Sequence, residues 1–305
     1  MSKLCSMAEA IDRWVGDDAS VVMGCGLESA IPFAAGHELI RQGRRGLTLI
    51  GPISDMLFDL LVGSGCARKV VAAWVGNVGD GLGHNFRRAV EQGIPQRVEV
   101  DDHSNLTLAL GLQAAAWGVP YLPTLTVLGS SLLTSNPGLR PLTCPFTGQN
   151  LVAVQAIRPD VAIVHAQRAD AEGNTHLWGN LGVTVEAVRA ARCVIVSCEE
   201  VVPPEVIRSD PNRTLIPGFL VSAVVAEPWG AHPSPLQGYA RRDDAFYVDY
   251  HAHSRSRAGF EAWLRTWVLD VRDRREYLAR LGEDRLRRLQ ITRAALAAPV
   301  DYGWS

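Results

Sequence analysis

Across the first third of the chain, short runs of β-branched and aliphatic residues alternate with longer stretches in which apolar positions recur at helical spacing. The runs "SVVMG" (Ser20 to Gly24), "LTLIG" (Leu47 to Gly51), "KVVAAW" (Lys69 to Trp74) and "RVEVD" (Arg97 to Asp101) read as strands. Between them lie the helical patterns "IPFAAGHELIRQG", "SDMLFDLLVGSG" and "GHNFRRAVEQG". Each closes on a glycine suited to a C-terminal cap, and Ser54 is placed to cap the start of the second. Strands that are almost wholly apolar and joined by helices predict a parallel sheet covered on both faces, because such strands have no polar side to give to water. A buried helix, "SNLTLALGLQAAAWG", follows, with Ser104 as its N-cap.

The pattern lapses over "GSSLLTSNPGLRPLTCPFTGQN" (Gly129 to Asn150), which reads as a long loop. Loops of this length are uncommon unless functional or packed against a partner. Strands resume at "LVAVQA" (Leu151 to Ala156), "DVAIVHAQ" (Asp160 to Gln167), "CVIVSCEEVV" (Cys193 to Val202) and "FLVSAVVAEP" (Phe219 to Pro228), with a helix over "TVEAVRAAR" (Thr184 to Arg192). From Ser254 onward the chain reads as two helices, about 255–297, whose interspersed acids and arginines suit a solvated face. The expected fold is one α/β domain over 1–305: an open, mainly parallel sheet with helices on both faces and a helical C-terminal tail.

Composition narrows the function classes. A length of 305 residues allows a large buried core, and 47% hydrophobic with 20% charged residues is ordinary for a soluble protein. A net charge of −2 gives no electrostatic basis for a nucleic-acid or membrane partner. The N-terminus lacks the apolar run of a signal peptide, and apolar runs such as Phe219 to Ala226 are too short to span a bilayer. The six cysteines show no metal-type spacing, and Cys193 and Cys198 point to opposite faces of one strand. These features set the expectation of a reducing, cytoplasmic location, with no metal.

Several segments carry candidate chemistry. "VEVDDHSN" (Val98 to Asn105) puts Glu99 and Asp101 on one face of a strand, near the end where open parallel sheets bind ligands; the alternative is a helix cap. "WVGNVGDGLGHNFRRAVE" runs from a strand end into a helix, and its backbone N–H groups suit an oxyanion, a carboxylate or a phosphate. It matches neither a Walker A loop nor a dinucleotide fingerprint. In "VMGCGLES", Gly24 and Gly26 allow close approach of a ligand or simply a tight turn. His165 and Arg168 in "VHAQRADAEGN" fit a structural hydrogen-bonding role, since no serine elbow is present. Glu199 and Glu200 face opposite ways and cannot form a carboxylate dyad; one is expected to cap or to pair with an arginine.

Taken in order, "GCGLESAIPFAAGHELIRQG", "VGNVGDGLGHNFRRAVEQG", "VEVDDHSNLTLALGLQAAAWGVPYLPT", "DVAIVHAQRADAEGN", "CVIVSCEEVV" and "GAHPSPLQGY" resemble the α subunit of class I CoA-transferases, of the glutaconate CoA-transferase type. The resemblance covers most of Gly24 to Tyr239 and continues through "FEAWLRTWV". It implies transfer of CoA between carboxylic acids by a ping-pong route through a glutamyl-CoA thioester. The nucleophilic glutamate would lie on a separate β subunit, so this chain would hold no catalytic residue and would be inactive alone. A CoA thioester is then a substrate rather than a permanent cofactor. The partner is a β subunit, in a heterodimer or an α2β2 heterotetramer. By match to the motifs, Gly24, Gly26, Gly76, Asn77 and Val78 line the acyl pocket, and Glu99 and Asn105 complete the substrate-binding set.

Two departures refine that implication. Where the 3-oxoacid branch resembles this segment with a glutamine, and a branch that hydrolyses rings of steroid-derived acyl-CoA compounds has a glutamate, this chain has Asn105. An amide hydrogen-bonds an acyl oxygen but cannot act as a general base, which favours transfer over hydrolysis. Related chains often carry an arginine after "LPT"; here Leu125 stands in its place, which favours an acyl group without a distal carboxylate. A non-enzymatic alternative, an effector-binding module of the kind found in sugar-responsive regulators, is disfavoured by the slight negative charge and by the short stretch before the first strand.

Overall fold

In the computed structural model, which describes residues 2–291, the chain starts with α1 (Met7–Trp14), capped by Ser6, and enters the main sheet as β1 (Ser20–Val22). It continues through α2 (Phe33–Arg41), β2 (Leu47–Gly51), α3 (Met56–Gly63) and β3 (Ala67–Ala72). A hairpin of β4 (Gly76–Asn77) and β5 (Gly81–Leu82) leads into α4 (His84–Gln92) and then β6 (Glu99–Asp102). Next come α5 (Asn105–Ala116), β7 (Tyr121–Thr124), α6 (Leu132–Ser135), β8 (Leu139–Thr143) and β9 (Asn150–Gln155). The main sheet resumes with β10 (Val161–Ala169), β11 (Thr175–His176), α7 (Thr184–Ala190) and β12 (Cys193–Val201). After α8 (Pro204–Arg208), β13 (Thr214–Ile216) and β14 (Ala223–Ala226) come α9 (Asp244–Ser254), α10 (Arg257–Leu264), α11 (Arg274–Leu281) and α12 (Glu283–Leu289).

Seven strands run parallel in the order β14-β12-β10-β1-β2-β3-β6, and β11 and β13 extend the sheet antiparallel from the C-terminal end of β10. Chain order runs outward from β1 one way and from β10 the other, so the sheet reverses between these two strands. Alternate residues of each strand enter opposite faces. Val21, Leu49, Val70 and Ile195 join a core with α1, α2, α3 and the C-terminal helices, while Val22, Ile50, Val71 and Val196 join another with α5 and α7. The mainly parallel sheet with helices on both faces is as expected.

Three local expectations are corrected. Residues 129–150 are not one long loop: β8 pairs antiparallel with β9, which also pairs with β7, in a small separate sheet. The segment "FLVSAVVAEP" keeps only its second half as β14, because Gly218–Leu220 forms a short 3-10 turn after Pro217. The C-terminal helices begin before Ser254, at Asp244, where the Asp243 side chain accepts the Phe246 N–H at 3.3 Å. Their charged face is solvated as expected, with Arg272, Arg275, Arg280, Asp284, Arg287 and Arg288 exposed, while their apolar side packs into the domain. Phe246, Tyr250, Phe260, Trp263 and Tyr277 are buried in the first core, with Tyr250 and Trp263 edge to face at 4.9 Å. The part of the helical expectation beyond residue 291 lies outside the described residues.

Candidate active site at the C-terminal edge of the sheet

Backbone strain concentrates at the C-terminal ends of β1 and β2. Of the seven non-glycine residues with positive φ among the described residues, four, Leu27, Ala30, Ser54 and Asp55, sit in the loops leaving these strands. Each such residue costs on the order of 1–3 kcal/mol and persists only where surrounding contacts over-determine it. Ser54 is one such contact. Its hydroxyl donates to the Met23 carbonyl at 3.0 Å and lies against Gly24, tying the two loops together. It therefore does not cap α3; Asp55 occupies the cap position and makes no capping bond.

The crevice where the sheet reverses is filled by the chain itself. Val183 N–H, from the loop after β11, donates to the Cys25 carbonyl at 3.0 Å, and Ser29 Oγ donates to the Asn180 carbonyl at 3.3 Å. A side chain at Gly26 would meet the Ser29 and Asn180 carbonyls. The two glycines are thus small because the protein crowds them, a reason the sequence alone did not distinguish from ligand approach.

Further along the edge, two carboxylates hold the β4–β5 hairpin and the start of α4 that follows it. Asp55 Oδ1 accepts the Val78 N–H at 3.0 Å, and its Oδ2 pairs with Arg242 Nη1 at 2.6 Å. The Arg242 guanidinium covers the Tyr247 ring at 3.6 Å, and the Tyr247 carbonyl accepts from Asn77 Nδ2 at 2.9 Å. Asp59, one turn on in α3, accepts Phe86 N–H at 2.7 Å, Asn85 Nδ2 at 3.0 Å and the Tyr250 hydroxyl at 2.6 Å. It supplies the cap that Gly83, at the start of α4, cannot. Burial raises both carboxyl groups above their ordinary range; the Arg242 charge is the main opposing influence at Asp55, and the Tyr250 hydrogen bond at Asp59.

This arrangement corrects one expectation. The Val78 N–H is committed to Asp55 and is not a free donor for a ligand. Gly76 and Asn77 are buried in the hairpin, and Asn77 Oδ1 has no hydrogen-bond partner among the described residues. Asp55, Asp59 and Arg242 were not singled out in the sequence. For Asp59 a signal of burial was present, because an acid inside a helix as apolar as "MLFDLLVG" has to be buried and paired, but nothing in the sequence names its partners.

The segment from Val98 to Asn105 divides at His103. Glu99 is exposed at the start of β6, in register with Lys69, and Lys69 Nζ reaches Asp101 at 2.7 Å. Glu99 is therefore about 10 Å of strand away from the β6 C-terminal end and is not gathered with the hairpin. His103 is buried with Nδ1 3.1 Å from Thr107 Oγ1, and burial pulls its pKa down to about 4, so it is neutral near pH 7. Ser104 caps α5 in a reciprocal box with Thr107, as expected. Asn105, the first residue of that helix, is exposed beyond the end of β6.

His165 is structural, as expected. It is buried between Ser197 Oγ and Glu199 Oε1, each at 2.9 Å, and Glu199 also accepts the Trp229 N–H at 2.8 Å. Ser197 is buried and donates to the Val164 carbonyl at 3.2 Å, so this serine–histidine–glutamate line offers no accessible nucleophile. Glu200 points the other way and pairs with Arg168 at 3.3 Å.

Fold and edge together define an α/β protein whose accessible loops cluster at the C-terminal ends of parallel strands. Residues 4–227 match the family model for coenzyme A transferase. The chain is 41% identical over 283 residues to the α subunit of 3-oxoadipate CoA-transferase from Pseudomonas knackmussii, covering 93% of this chain and 99% of that one. It is 33% identical over 309 residues to the α subunit of glutaconate CoA-transferase from Acidaminococcus fermentans, covering 95% of each. The crystal structure of that glutaconate enzyme superposes with a TM-score of 0.90 over 98% of this chain and 99% of its counterpart. A cholesterol ring-cleaving hydrolase subunit of Mycobacterium tuberculosis is 29% identical over 192 residues, 60% of this chain and 65% of that one. The chain belongs to the coenzyme A transferase family, as an α subunit of the class I type.

Proposed function

We propose that this subunit moves CoA between carboxylic acids by a ping-pong route whose nucleophilic glutamate lies on a separate β subunit. The supporting observation is the state of the acids built into this edge. Asp55 is bound by Arg242 and Val78, Asp59 by three donors, and Asp101 by Lys69. A carboxylate nucleophile needs a free oxygen facing the reacting carbon, which none of these three offers; Asp102 lies open to water at the end of β6, so the assignment of the nucleophile to another chain follows the subunit naming of the two transferase relatives. In the proposed sequence, that carboxylate attacks the thioester carbonyl and expels CoA thiolate, leaving an anhydride. The thiolate then attacks the glutamyl carbonyl, releases the first acid and forms glutamyl-CoA; the second acid reverses these steps.

Gly76, Asn77 and Val78 of the hairpin, with Asn105, line the α side of the acyl site in this reading; Gly24 and Gly26, crowded by Ser54 and by the Ser29 and Asn180 carbonyls, stand behind it, and Glu99 stands outside it. The α and β subunits assemble as αβ or α2β2, with the acyl-CoA as substrate and no permanently bound cofactor. Asn105 supports transfer over hydrolysis, because its amide can hold an acyl oxygen but cannot take a proton from water. The two transferase relatives described above are named for dicarboxylic acyl groups, whereas Leu125 is 53% exposed and offers no charge to a distal carboxylate. We infer an acyl group without that carboxylate. Comparing kcat/KM for butyryl-CoA and glutaryl-CoA decides the point, and a clear preference for the second would overturn this inference. The functional reading itself is tested by assaying CoA transfer to a carboxylate with this chain alone, with the isolated β subunit and with both together. Activity is expected only from the mixture; transfer by this chain alone, or release of free acid without transfer, would reject it.

A further inference from the structure

Asp55 touches no solvent, yet it is not a generic core residue. Its two oxygens face different elements: Oδ1 takes the Val78 N–H at the tip of the hairpin, and Oδ2 takes Arg242, just ahead of α9. The same stretch of chain grips the hairpin a second time, through Tyr247 O and Asn77 Nδ2 at 2.9 Å. Arg242 is itself oriented, stacked on the Tyr247 ring and bonded through Nε to Asp244 at 3.0 Å. The backbone at Asp55 is strained, with φ at +47°, and its carboxylate makes no bond to α3, reaching the hairpin instead. A strained, buried carboxylate that ties one oxygen to the hairpin and the other to Arg242, whose own stretch of chain grips the hairpin again, is more than packing demands.

Building on the transferase reading above, we propose that Asp55 is a positioning residue for the reaction: held by Arg242, it fixes Val78 and thereby the Gly76–Gly83 hairpin that lines the acyl site. Asp55 touches neither substrate nor CoA. It acts through the hairpin, so its loss lowers kcat more than it raises KM, because mispositioned groups fail chiefly in the transition state. Arg242 opposes the effect of burial on the carboxyl and favours its charged form. The groups facing Asp55 are Arg242, the Val78 N–H and the Tyr247 phenol, with Asp244 beyond Arg242. Without the guanidinium, only the Val78 N–H and the Tyr247 hydroxyl still oppose burial, and the pKa of the carboxyl rises further. An Arg242→Met variant is then most impaired at low pH and recovers as the pH rises and Asp55 ionises.

The test uses the full chain in complex with its β subunit. Asp55→Ala and Asp55→Asn are compared with wild type by kcat, by KM and by amide hydrogen exchange of the peptide covering Gly76–Gly83. Asp55→Ala is expected to lose about a hundredfold in kcat with KM within about threefold, and its hairpin to exchange about tenfold faster. Asp55→Asn, which still offers Val78 an acceptor, should recover part of both. Arg242→Met should gain activity from pH 6 to 9 relative to wild type. The proposal is overturned if Asp55→Ala leaves hairpin exchange unchanged, if kcat and KM worsen equally, or if the pH profile of Arg242→Met follows wild type. If the wild-type complex transfers no CoA, the functional reading fails instead, and hairpin exchange still decides whether Asp55 holds the loop.

Discussion

The acids of Val98–Asn105 and those around α3 leave the same sheet edge, with only β3 between their strands. In the first segment Glu99 and Asp102 lie open to water, and Asp101 shares with Lys69 a pair in which both side chains are 25% exposed. In the second, Asp55 and Asp59 are at most 1% exposed and between them accept from Val78, Arg242, Phe86, Asn85 and Tyr250. Solvent screening makes the dense acidic run nearly neutral for stability. Burial makes the sparse pair matter, because removing either acid strands its donors away from water. Carboxylate density along a chain is thus a poor guide to which carboxylates fix geometry; commitment to buried donors is a better one.

The contrast can be broken at four points. Asp59→Ala is expected to have the largest effect, about 3–5 kcal/mol lost in urea unfolding, since three donors lose their acceptor. Next comes His103. Below about pH 6.5 the unfolded chain takes up a proton that the folded chain refuses until about pH 4, so this buried histidine lowers stability as the pH falls through that window. His103→Gln should lose about 2 kcal/mol less than wild type between pH 6.5 and 4, and identical slopes would remove the histidine from the explanation. Asn105→Ala should lower kcat/KM of the complex about tenfold while stability stays within about 0.5 kcal/mol, because the side chain is exposed. Unchanged kcat/KM takes Asn105 out of the site. Asp101→Ala is the smallest, under about 1 kcal/mol; a loss equal to that of Asp59→Ala would erase the distinction between the two segments.

Much of the frame was legible in the sequence because buried parallel strands leave an unmistakable run of apolar residues, as in β1, β2, β10 and β12. Edge strands do not. In β8, Leu139 is buried beside an exposed Arg140 and Pro141, so neither an apolar run nor a clean alternation marks it. The early start of α9 was hidden because "DAFYVDYHAHS" mixes acids, histidines and aromatics without a helical stripe, and its tyrosines are buried against α2, α3 and α10, which only the fold brings around them. The glycine hairpin and Asn105 were readable as motifs. The partners of Asp55, Asp59 and Arg242 were not, because these pairings span up to 191 positions of chain and only the fold brings them about.

The division of labour between this chain and its partner is most directly tested by weighing both polypeptides following rapid acid quench of the αβ complex with an acyl-CoA. We predict CoA bound as a thioester to a glutamate of the β subunit, and none on this chain. A CoA adduct on this chain, or a complex that turns over with no adduct on either chain, would contradict it.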